Sequence, residues 1–344
     1  MNIKMKVRTA ILCMTIFAVA LTGCSIKKEK PEYKRDVFAM DTYMVLKVYD
    51  ENGEAILESA EAEIKRLEML FSVTDEKSDI SRINGSGSAQ VSEDTVKLVS
   101  EALVYCEKTD GALDITVYPL LREWGFTTGK YQIPEDKDIT ALLEGVDYNN
   151  VTVEDGTVSI KNGGAMDLGA VAKGYTSDRL CNFLREQGVS SALINLGGNV
   201  QAVGTKPDGS PWKVGIEDPK DNSRIVCSLN IEDKAVVTSG NYERYFIGED
   251  GRRYCHIIDP KTGRPADNGL VSVTIVGESG TACDALSTAL FVMGKERAAE
   301  FLEKHTEIEA VLIDNDLRLY ITDGISENVE LSSGIESTVI KRQG

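Results

Sequence analysis

The chain has 344 residues, with 38 lysine and arginine residues against 55 aspartate and glutamate residues, so its formal net charge is −17 at pH 7. Nucleic-acid binding requires a basic surface that neutralises phosphates, and this charge balance argues against it. The length is enough for one large domain or two small ones. The acidic composition fits an exported soluble domain in which a few cations hold an anionic ligand.

The N-terminus has the pattern of a lipoprotein signal peptide. Three basic residues near the start precede an apolar run over 10–21, which is too short to span a bilayer as a mature helix. The run leads to the stretch LTGC, which ends at Cys24. We predict a signal peptide over 1–23, a lipidated Cys24 and a polar tether over 24–34. The mature protein would then lie outside the cytoplasm, anchored to the membrane surface. An ordinary signal peptide with an incidental cysteine is the alternative.

Apolar periodicity predicts the elements of the first half of the chain. Alternation around Met44 predicts a strand, and a 3.6-residue period predicts a helix that ends near Phe71. The polar stretch over 72–85 is interpreted as a loop. Ser92 is the predicted N-cap of a second helix, which turns Val96, Val99, Leu103 and Cys106 inward. The Asp-Gly pair at 155–156 predicts a hairpin.

Short strands dominate the second half of the predicted fold. A turn followed by a helix that stops at Gly188 precedes them, and two further helices, over 283–293 and 295–305, follow them. Asn315-Asp316 predicts a last hairpin. Because strands and helices are mixed without strict alternation and no linker divides the chain, we predict a single α+β domain over 35–344, with mixed or antiparallel sheets flanked by helices. The strand candidates are 191–196, 212–217, 225–231, 253–258 and 271–276.

The stretch CDALSTAL is predicted to begin a helix. Asp284 precedes Ser287 by three residues and Thr288 by four, so the three side chains lie on one face near the helix N-terminus. A carboxylate, a hydroxyl group and nearby carbonyl oxygens are hard ligands suited to Mg²⁺. From this stretch alone, simple N-capping by Asp284 is the alternative interpretation.

The stretch AMDLGAVAKGYTSD combines charge with glycine at a predicted helix start. Asp167, Ala170 and Lys173 follow one another at three-residue spacing, and Gly169 and Gly174 allow a close backbone approach. A lysine at such a position can hold a phosphate, although the spacing is not that of a P-loop. A tight loop with a solvated lysine is the alternative.

His256 is one of two histidines in the chain and begins the stretch HIIDPKTGRP. Its unperturbed pKa near 6.5 makes it a candidate general base. The alternative is a structural histidine that holds the Asp259-Pro260 turn.

Nine stretches, in order over about 37–294, together resemble the ApbE family of FAD:protein FMN transferases. They are MDTYMVLKVY, FSVTDEKSDISRIN, GALDITVYPLLREWGF, DLGAVAKGYTSD, LINLGGNVQAVG, PWKVGIEDP, VVTSGNYERY, HIIDPKTGRP and DALSTALFVMG.

The resemblance implies an enzyme that binds FAD with Mg²⁺, attaches FMN through its phosphate to a Thr or Ser hydroxyl of a target protein, and releases AMP. The implied target is an exported protein of an electron-transfer system with a Ser/Thr flavinylation motif. His256 falls at the position of the family's proposed catalytic base. Asp284 and Thr288 would bind the metal, together with backbone oxygens of Ala170 and Ser287. The implied FAD contacts are Met40, Thr74, Ala112, Leu113, Asp114, Asp167, Lys173 and Ile258.

Three other functions stay open at this stage. The same site would act as an FAD pyrophosphatase if water replaced the protein hydroxyl. A flavin-binding lipoprotein without activity would bind FAD but has little need of Asp284 with Thr288. A solute-binding protein would suit the lipoprotein start and explains none of the internal stretches.

Overall fold

The structure, a computed structural model, describes residues 30–342. The predicted signal peptide and Cys24 lie outside the described residues. Within that described range, no helix combines the length and the apolar character needed to cross a bilayer. The five cysteines from Cys106 onward are all free and buried, as their unpaired spacing predicts.

The residues from Pro31 onward fold as one unit of strands and helices. The helices are α1 (Gly53–Phe71), α2 (Asp79–Ser86), α3 (Glu93–Lys108), α4 (Tyr118–Glu123), α5 (Asp136–Leu143), α6 (Ala172–Glu186) and α7 (Gly280–Lys304). The strands are β1 (Glu32–Ala39), β2 (Thr42–Tyr49), β3 (Ser88–Gln90), β4 (Val151–Glu154), β5 (Thr157–Ile160), β6 (Ser191–Leu196), β7 (Asn199–Gly204), β8 (Trp212–Asp218), β9 (Asp221–Ile231), β10 (Ala235–Gly240), β11 (Tyr245–Ile247), β12 (Arg253–Cys255), β13 (Ile258–Asp259), β14 (Arg264–Pro265), β15 (Leu270–Gly277), β16 (Glu309–Asp314), β17 (Leu319–Thr322), β18 (Val329–Leu331) and β19 (Ser337–Ile340).

A nine-stranded sheet organises the fold, in the order β1-β2-β6-β7-β10-β15-β16-β17-β19. Its pairs are antiparallel except β17 and β19, which are parallel. Alternate residues of the central strands enter different cores: Val237 packs with the helices, whereas Val236 packs against the small sheet β18-β9-β8. The arrangement therefore has three layers, and it confirms the predicted α+β class.

The helices α6 and α7 cross closely at their N-termini. A Cβ atom placed on Gly174 of α6 would lie 2.2 Å from the carbonyl oxygen of Gly280, and one placed on Gly280 would lie 2.6 Å from the carbonyl oxygen of Gly174. The N-termini of α6 and α7 can approach only because both positions lack a side chain. This crossing confirms the predicted role of Gly174 and brings Lys173 next to Asp284.

Several predicted boundaries differ from the structure. The loop predicted over 72–85 is wrong in its second half, because α2 forms there with Ser78 as N-cap and with Ile80 and Ile83 fully buried. Polar residues on the exposed side of this short helix hid its apolar face. In α3, Val96 and Leu103 are only half-buried, and the buried side chains include Leu98 instead.

Glycine and histidine positions account for further differences. The helices predicted over 283–293 and 295–305 form one element, α7, interrupted at Gly294 with φ 75°. The strand predicted over 253–258 is divided into β12 and β13 at His256. The first strand begins at Glu32, inside the predicted tether, because Glu32 pairs with Tyr49 across β2.

Candidate active site

A cavity of about 460 Å³ opens where α6, α7 and the turns of the large sheet meet. A volume of this size is typical of a small-molecule site. Of the residues that the sequence predicts for the site, all except Ser287 line this cavity: Met40, Thr74, Ala112, Leu113, Asp114, Asp167, Ala170, Lys173, His256, Ile258, Asp284 and Thr288. The chain thus brings together residues that lie more than 200 positions apart in sequence.

Asp284 is a buried carboxylate of the cavity, with 3% of the residue exposed. Its Oδ2 atom accepts a hydrogen bond of 2.8 Å from the backbone N–H of Gly174, in the first turn of α6. Its Oδ1 atom lies 4.0 Å from Lys173 Nζ. Burial raises the pKa of Asp284, and the charge of Lys173 opposes that rise. The N-capping interpretation is therefore correct in part, but the capped helix is α6 rather than the helix that carries Asp284.

A chain of hydroxyl groups runs beside Asp284. Ser287 Oγ donates to the backbone oxygen of Asp284 at 2.9 Å, and Ser239 Oγ lies 2.8 Å from Ser287 Oγ and 3.3 Å from Thr288 Oγ1. A hydroxyl has one hydrogen to donate. Because Ser287 donates to a carbonyl, it accepts from Ser239, which in turn accepts from Thr288. The oxygen lone pairs of Thr288 are then free to face the cavity.

This donor set fits a hard divalent cation. Within residues 30–342, no group of three or more His, Cys, Asp or Glu side chains forms a metal cluster. A metal here would therefore bind one carboxylate with hydroxyl and carbonyl oxygens, which is a set suited to Mg²⁺ rather than to softer metals. Ser287 is fully buried and lies outside the lining, so the predicted contact of its backbone oxygen with a metal stays a prediction.

Lys173 and Asp167 lie at the entrance of α6. Lys173 Nζ donates to the backbone oxygen of Gly169 at 3.5 Å, and Asp167 Oδ1 accepts from the Gly169 N–H at 2.7 Å. Burial raises the pKa of Asp167, whereas the charges of Arg244 and Lys173 lower it. The lysine is half-buried and carries its charge into the cavity, where an anionic ligand would meet it.

His256 is half-buried and held by the backbone of Arg244. The His256 N–H donates to the Arg244 carbonyl oxygen at 3.0 Å, and the ring Nδ1 lies 3.2 Å from the same oxygen. A carbonyl oxygen can only accept, so Nδ1 carries the proton and Nε2 keeps a free lone pair. Burial, assisted by the charges of Arg244 and Lys173, lowers the pKa of His256 to about 4. The ring is therefore a neutral base at neutral pH.

One wall of the cavity is formed by the buried residues Ala112, Leu113 and Asp114. Ala112 and Leu113 are each 3% exposed, and Asp114 stabilises the segment that follows them. Asp114 Oδ1 accepts from the backbone and hydroxyl of Thr116, and its Oδ2 accepts from the Tyr148 N–H. Both carboxylate oxygens are thus engaged by the protein, so Asp114 shapes this wall.

Two hairpin turns complete the rim. Met40 has a φ of 51°, which is uncommon for a residue with a side chain, and its N–H donates to Glu68 Oε1 at 2.5 Å. Beside it, Gly197 lies so close to Thr42 that a Cβ atom would meet the threonine hydroxyl at 2.0 Å. Strain at Met40 and the absence of a side chain at Gly197 bring both turns to the cavity.

Sequence reasoning missed Arg244, Glu243 and Glu68, which also line the cavity. Arg244 Nη2 donates to the Phe126 carbonyl oxygen at 2.8 Å, so Arg244 holds both His256 and the loop that carries Phe126. Burial raises the pKa of Glu243. Thr238 and Ser239, in the stretch VVTSGNYERY, also line the cavity. Arg244 offered no separate signal.

Known proteins resemble this chain over most of its length. A curated relative from Klebsiella pneumoniae (strain 342), named FAD:protein FMN transferase, is 35% identical over 82% of this chain and 89% of its own. One of the same name from Treponema pallidum (strain Nichols) is 31% identical over 95% of each chain. The crystal structure of the ApbE protein from Thermotoga maritima is 35% identical, with a TM-score of 0.81 over 87% of this chain and 99% of that one.

A second solved structure, the flavin transferase ApbE from Vibrio cholerae, is 30% identical, with a TM-score of 0.77 over 87% of this chain and 100% of that one. The sequence model of the ApbE family matches residues 40–312, a range that contains every cavity-lining residue described above. The chain belongs to the ApbE family.

Proposed function

We propose that the protein transfers FMN from FAD to a Thr or Ser hydroxyl of an exported protein and releases AMP, with Mg²⁺ as cofactor. The names of its relatives support the transferase class. The observation that carries the proposal is the common cavity of a buried carboxylate, Asp284, a lysine, Lys173, and a neutral histidine, His256, with a free Nε2.

The reaction breaks the pyrophosphate bond of FAD on the side of FMN. The oxygen of the acceptor hydroxyl forms a bond to the FMN phosphorus, and the oxygen that bridges the two phosphates leaves with AMP. The acceptor proton passes to His256 Nε2. Because Nδ1 is bonded to the Arg244 carbonyl, the ring accepts this proton without changing its orientation. The proton then leaves to solvent or to AMP.

The protein supplies the charge that the phosphates require. Lys173 would hold one phosphate at the N-terminus of α6, where the helix dipole also favours an anion. Mg²⁺, bound by Asp284, Thr288 and the backbone oxygens of Ala170 and Ser287, would offset the negative charge of the pyrophosphate. Met40, Thr74, Ala112, Leu113, Asp167 and Ile258 would form the walls around FAD.

The remaining parts of the proposal concern the location of the protein and the identity of its acceptor. The pattern that ends at Cys24 supports lipid anchoring at the outer surface of the cell membrane. A protein held there meets exported proteins, so we propose a flavoprotein of a membrane-associated electron-transfer system as the acceptor.

The proposal is tested with the chain from residue 25 onward, FAD and Mg²⁺. The probe for the acceptor is the cell-envelope protein fraction of a Vibrio cholerae strain that lacks its own FAD:protein FMN transferase, since that organism has a relative 34% identical to this chain. We expect a fluorescent flavin band after denaturing electrophoresis. Mass spectrometry of that band should find the mass of esterified FMN on a Thr or Ser residue, and AMP should appear in equal amount.

The alternatives give different products. FMN and AMP without a labelled band would indicate an FAD pyrophosphatase. FAD recovered intact would indicate a flavin-binding lipoprotein without activity. The Asp284→Ala variant is the matched control, and the proposed metal role predicts that the band disappears with it.

A further inference from the structure

A two-stranded ribbon, β11–β12, leads directly into the catalytic histidine. β11 follows Arg244, whose carbonyl oxygen binds both the backbone and the ring of His256, and β12 ends one residue before His256. Among the described residues, these strands pair only with each other. Each strand therefore has an outer edge beside the cavity.

The hydrogen-bond register identifies the groups on the outer edge of β11. The pairs Arg244–His256 and Gly248–Arg252 are bonded across the ribbon, at 3.0 and 2.9 Å. Bonded and non-bonded pairs alternate in an antiparallel ladder. The N–H and C=O groups of Tyr245 and Ile247 consequently point away from β12, toward the outside of the ribbon.

The two edges of the ribbon differ in how accessible they are to another chain. On the β12 side, Cys255 is 3% exposed, and its Sγ lies 3.7 Å from the Ala266 carbonyl oxygen, so the chain after β14 packs against the end of this strand. On the β11 side, Tyr245 and Ile247 are 41% and 57% exposed. An exposed apolar edge strand is a site for pairing with another chain.

One face of the ribbon is fixed. The other, here called the free face, is exposed at Tyr245, Ile247 and Arg253 and buried at Cys255. Phe246 stacks on Tyr131 and Tyr254, with ring centroids 5.2 and 5.3 Å away, which attaches the ribbon to the aromatic cluster around Trp124. On the free face, the Arg253 guanidinium lies 4.2 Å from the centre of the Tyr245 ring. Arg253 forms no ion pair with any residue in the range 30–342 and carries its charge on a chain of net charge −17.

We infer that the acceptor protein binds by adding an extended segment to the outer edge of β11. The segment carries the hydroxyl to be modified and an acidic side chain that meets Arg253. Main-chain hydrogen bonds to Tyr245 and Ile247 would provide affinity, as in other strand-addition complexes. A strand added there lies about 4.8 Å from β11 and about twice that from β12. Beyond Tyr245 the added segment would pass Arg244, which lines the cavity together with His256, and there it would bring its hydroxyl to the cavity. The inference rests on the proposed function.

Ile247→Pro tests the edge, because proline removes an outward-pointing N–H and leaves the ribbon hydrogen bonds in place. Leu331→Pro is the matched control: Leu331 is 41% exposed on another edge strand, β18, and the Ser332–Val226 bond indicates that its N–H also points outward. Leu331 does not line the cavity.

The measurement is the initial rate of labelling of the Vibrio cholerae envelope acceptor at low acceptor concentration. We expect Ile247→Pro to lower the rate about tenfold or more, with partial recovery at high acceptor concentration. FAD affinity, followed by quenching of flavin fluorescence, should not change. Ile247→Thr keeps the N–H and should retain most of the rate, whereas Arg253→Glu should lower it. Leu331→Pro should match the parent.

The outcomes separate the two proposals. Equal rates for the parent and a folded Ile247→Pro variant would overturn the docking inference and leave the transferase intact. If Ile247→Pro does not fold, an unchanged rate with Arg253→Glu would overturn it in the same way. No labelling by the parent would overturn the proposed function and the docking inference together.

Discussion

Asp284 and Asp178 cap each other's helices. Asp284 on α7 accepts from the Gly174 N–H of α6 at 2.8 Å, and Asp178 on α6 accepts from the Gly280 and Thr281 N–H groups of α7 at 2.7 and 2.9 Å. Each carboxylate meets the positive end of the other helix, where a negative charge is stabilised. One oxygen of Asp284 is used in this way and the other faces Lys173 and the cavity. The same crossing therefore maintains the fold and presents the candidate metal ligand.

Gly174→Ala should disrupt this crossing. The new methyl group would lie 2.2 Å from a backbone oxygen that cannot move independently of α7. We expect the free energy of unfolding to fall by about 2–3 kcal/mol and FMN transfer to be lost, because Asp284 moves with α7. Urea denaturation and the labelling assay measure the two effects.

Gly85→Ala is the control for that change. Gly85 lies in α2, and no atom lies within 4 Å of the position of an added Cβ. Alanine there should leave stability unchanged or raise it by up to about 1 kcal/mol. Equal free energies of unfolding for Gly174→Ala and Gly85→Ala would show that α6 and α7 can move apart without loss of stability.

The residues singled out from the sequence lie in one cavity, whereas several element boundaries differ from the prediction. Asp284, Thr288 and Lys173 could be singled out because their chemistry and spacing are local, and the resemblance implied that they share a site. The helix α2 was missed because its apolar face consists of Ile80 and Ile83 within a polar stretch. A period of 3.6 is hard to recognise in an eight-residue helix of about two turns.

Contacts between residues far apart in the sequence could not be predicted either. Arg244 acts through its carbonyl oxygen, which binds His256, and a backbone group has no signature in the sequence. The capping of α6 by Asp284 joins residues 110 positions apart. Spacing within one stretch could suggest only that Asp284 caps its own helix. Such contacts depend on the crossing of elements, which local patterns do not specify.

His256→Asn should remove the proposed base and lower transfer by at least about 100-fold while FAD stays bound. In the parent, the histidine pKa of about 4 means that the ring stays neutral down to about pH 5. The acidic limb that His256 contributes to kcat/KM should therefore lie near pH 4 rather than near 6.5. A pH–rate profile from 4 to 8 measures this directly.

The lowered pKa of His256 also makes the stability of the fold depend on pH. The unfolded histidine binds its proton near pH 6.5 and the folded one only near 4, so acidification between these values favours the unfolded state. The parent should lose stability relative to His256→Asn as the pH falls through this window. The His305→Asn variant changes a histidine outside the cavity lining and is the control, expected to keep the parent's transfer profile. An acidic limb of the parent's pH–rate profile at 6.5 would contradict the lowered pKa of the His256 ring.

Ser239→Ala tests the hydroxyl chain. Ser239 connects Thr288 to Ser287, and without it Thr288 has no fixed acceptor for its hydrogen. The hydroxyl can then point its hydrogen at the cavity, where it would oppose a cation. We expect the apparent Kd for Mg²⁺, from titration of the thermal midpoint, to rise about threefold to tenfold. Ser239→Thr keeps the hydroxyl and should restore parental affinity, whereas equal affinity of parent and alanine variant would remove Ser239 from the metal site.

Asp284→Asn separates the role of charge from the role of capping. Burial raises the pKa of Asp284, so a neutral amide should leave the metal-free protein as stable as the parent or more stable. If the proposed Mg²⁺ binds only the folded state, it should raise the thermal midpoint of the parent, and the rise should grow with the logarithm of its concentration relative to Kd. The variant should lose this response because it lacks the only carboxylate in the predicted metal set. Asp178→Asn, which changes a capping carboxylate outside the cavity lining, should retain the response to Mg²⁺. A midpoint that rises with Mg²⁺ to the same extent in Asp284→Asn and in the parent would place the metal elsewhere.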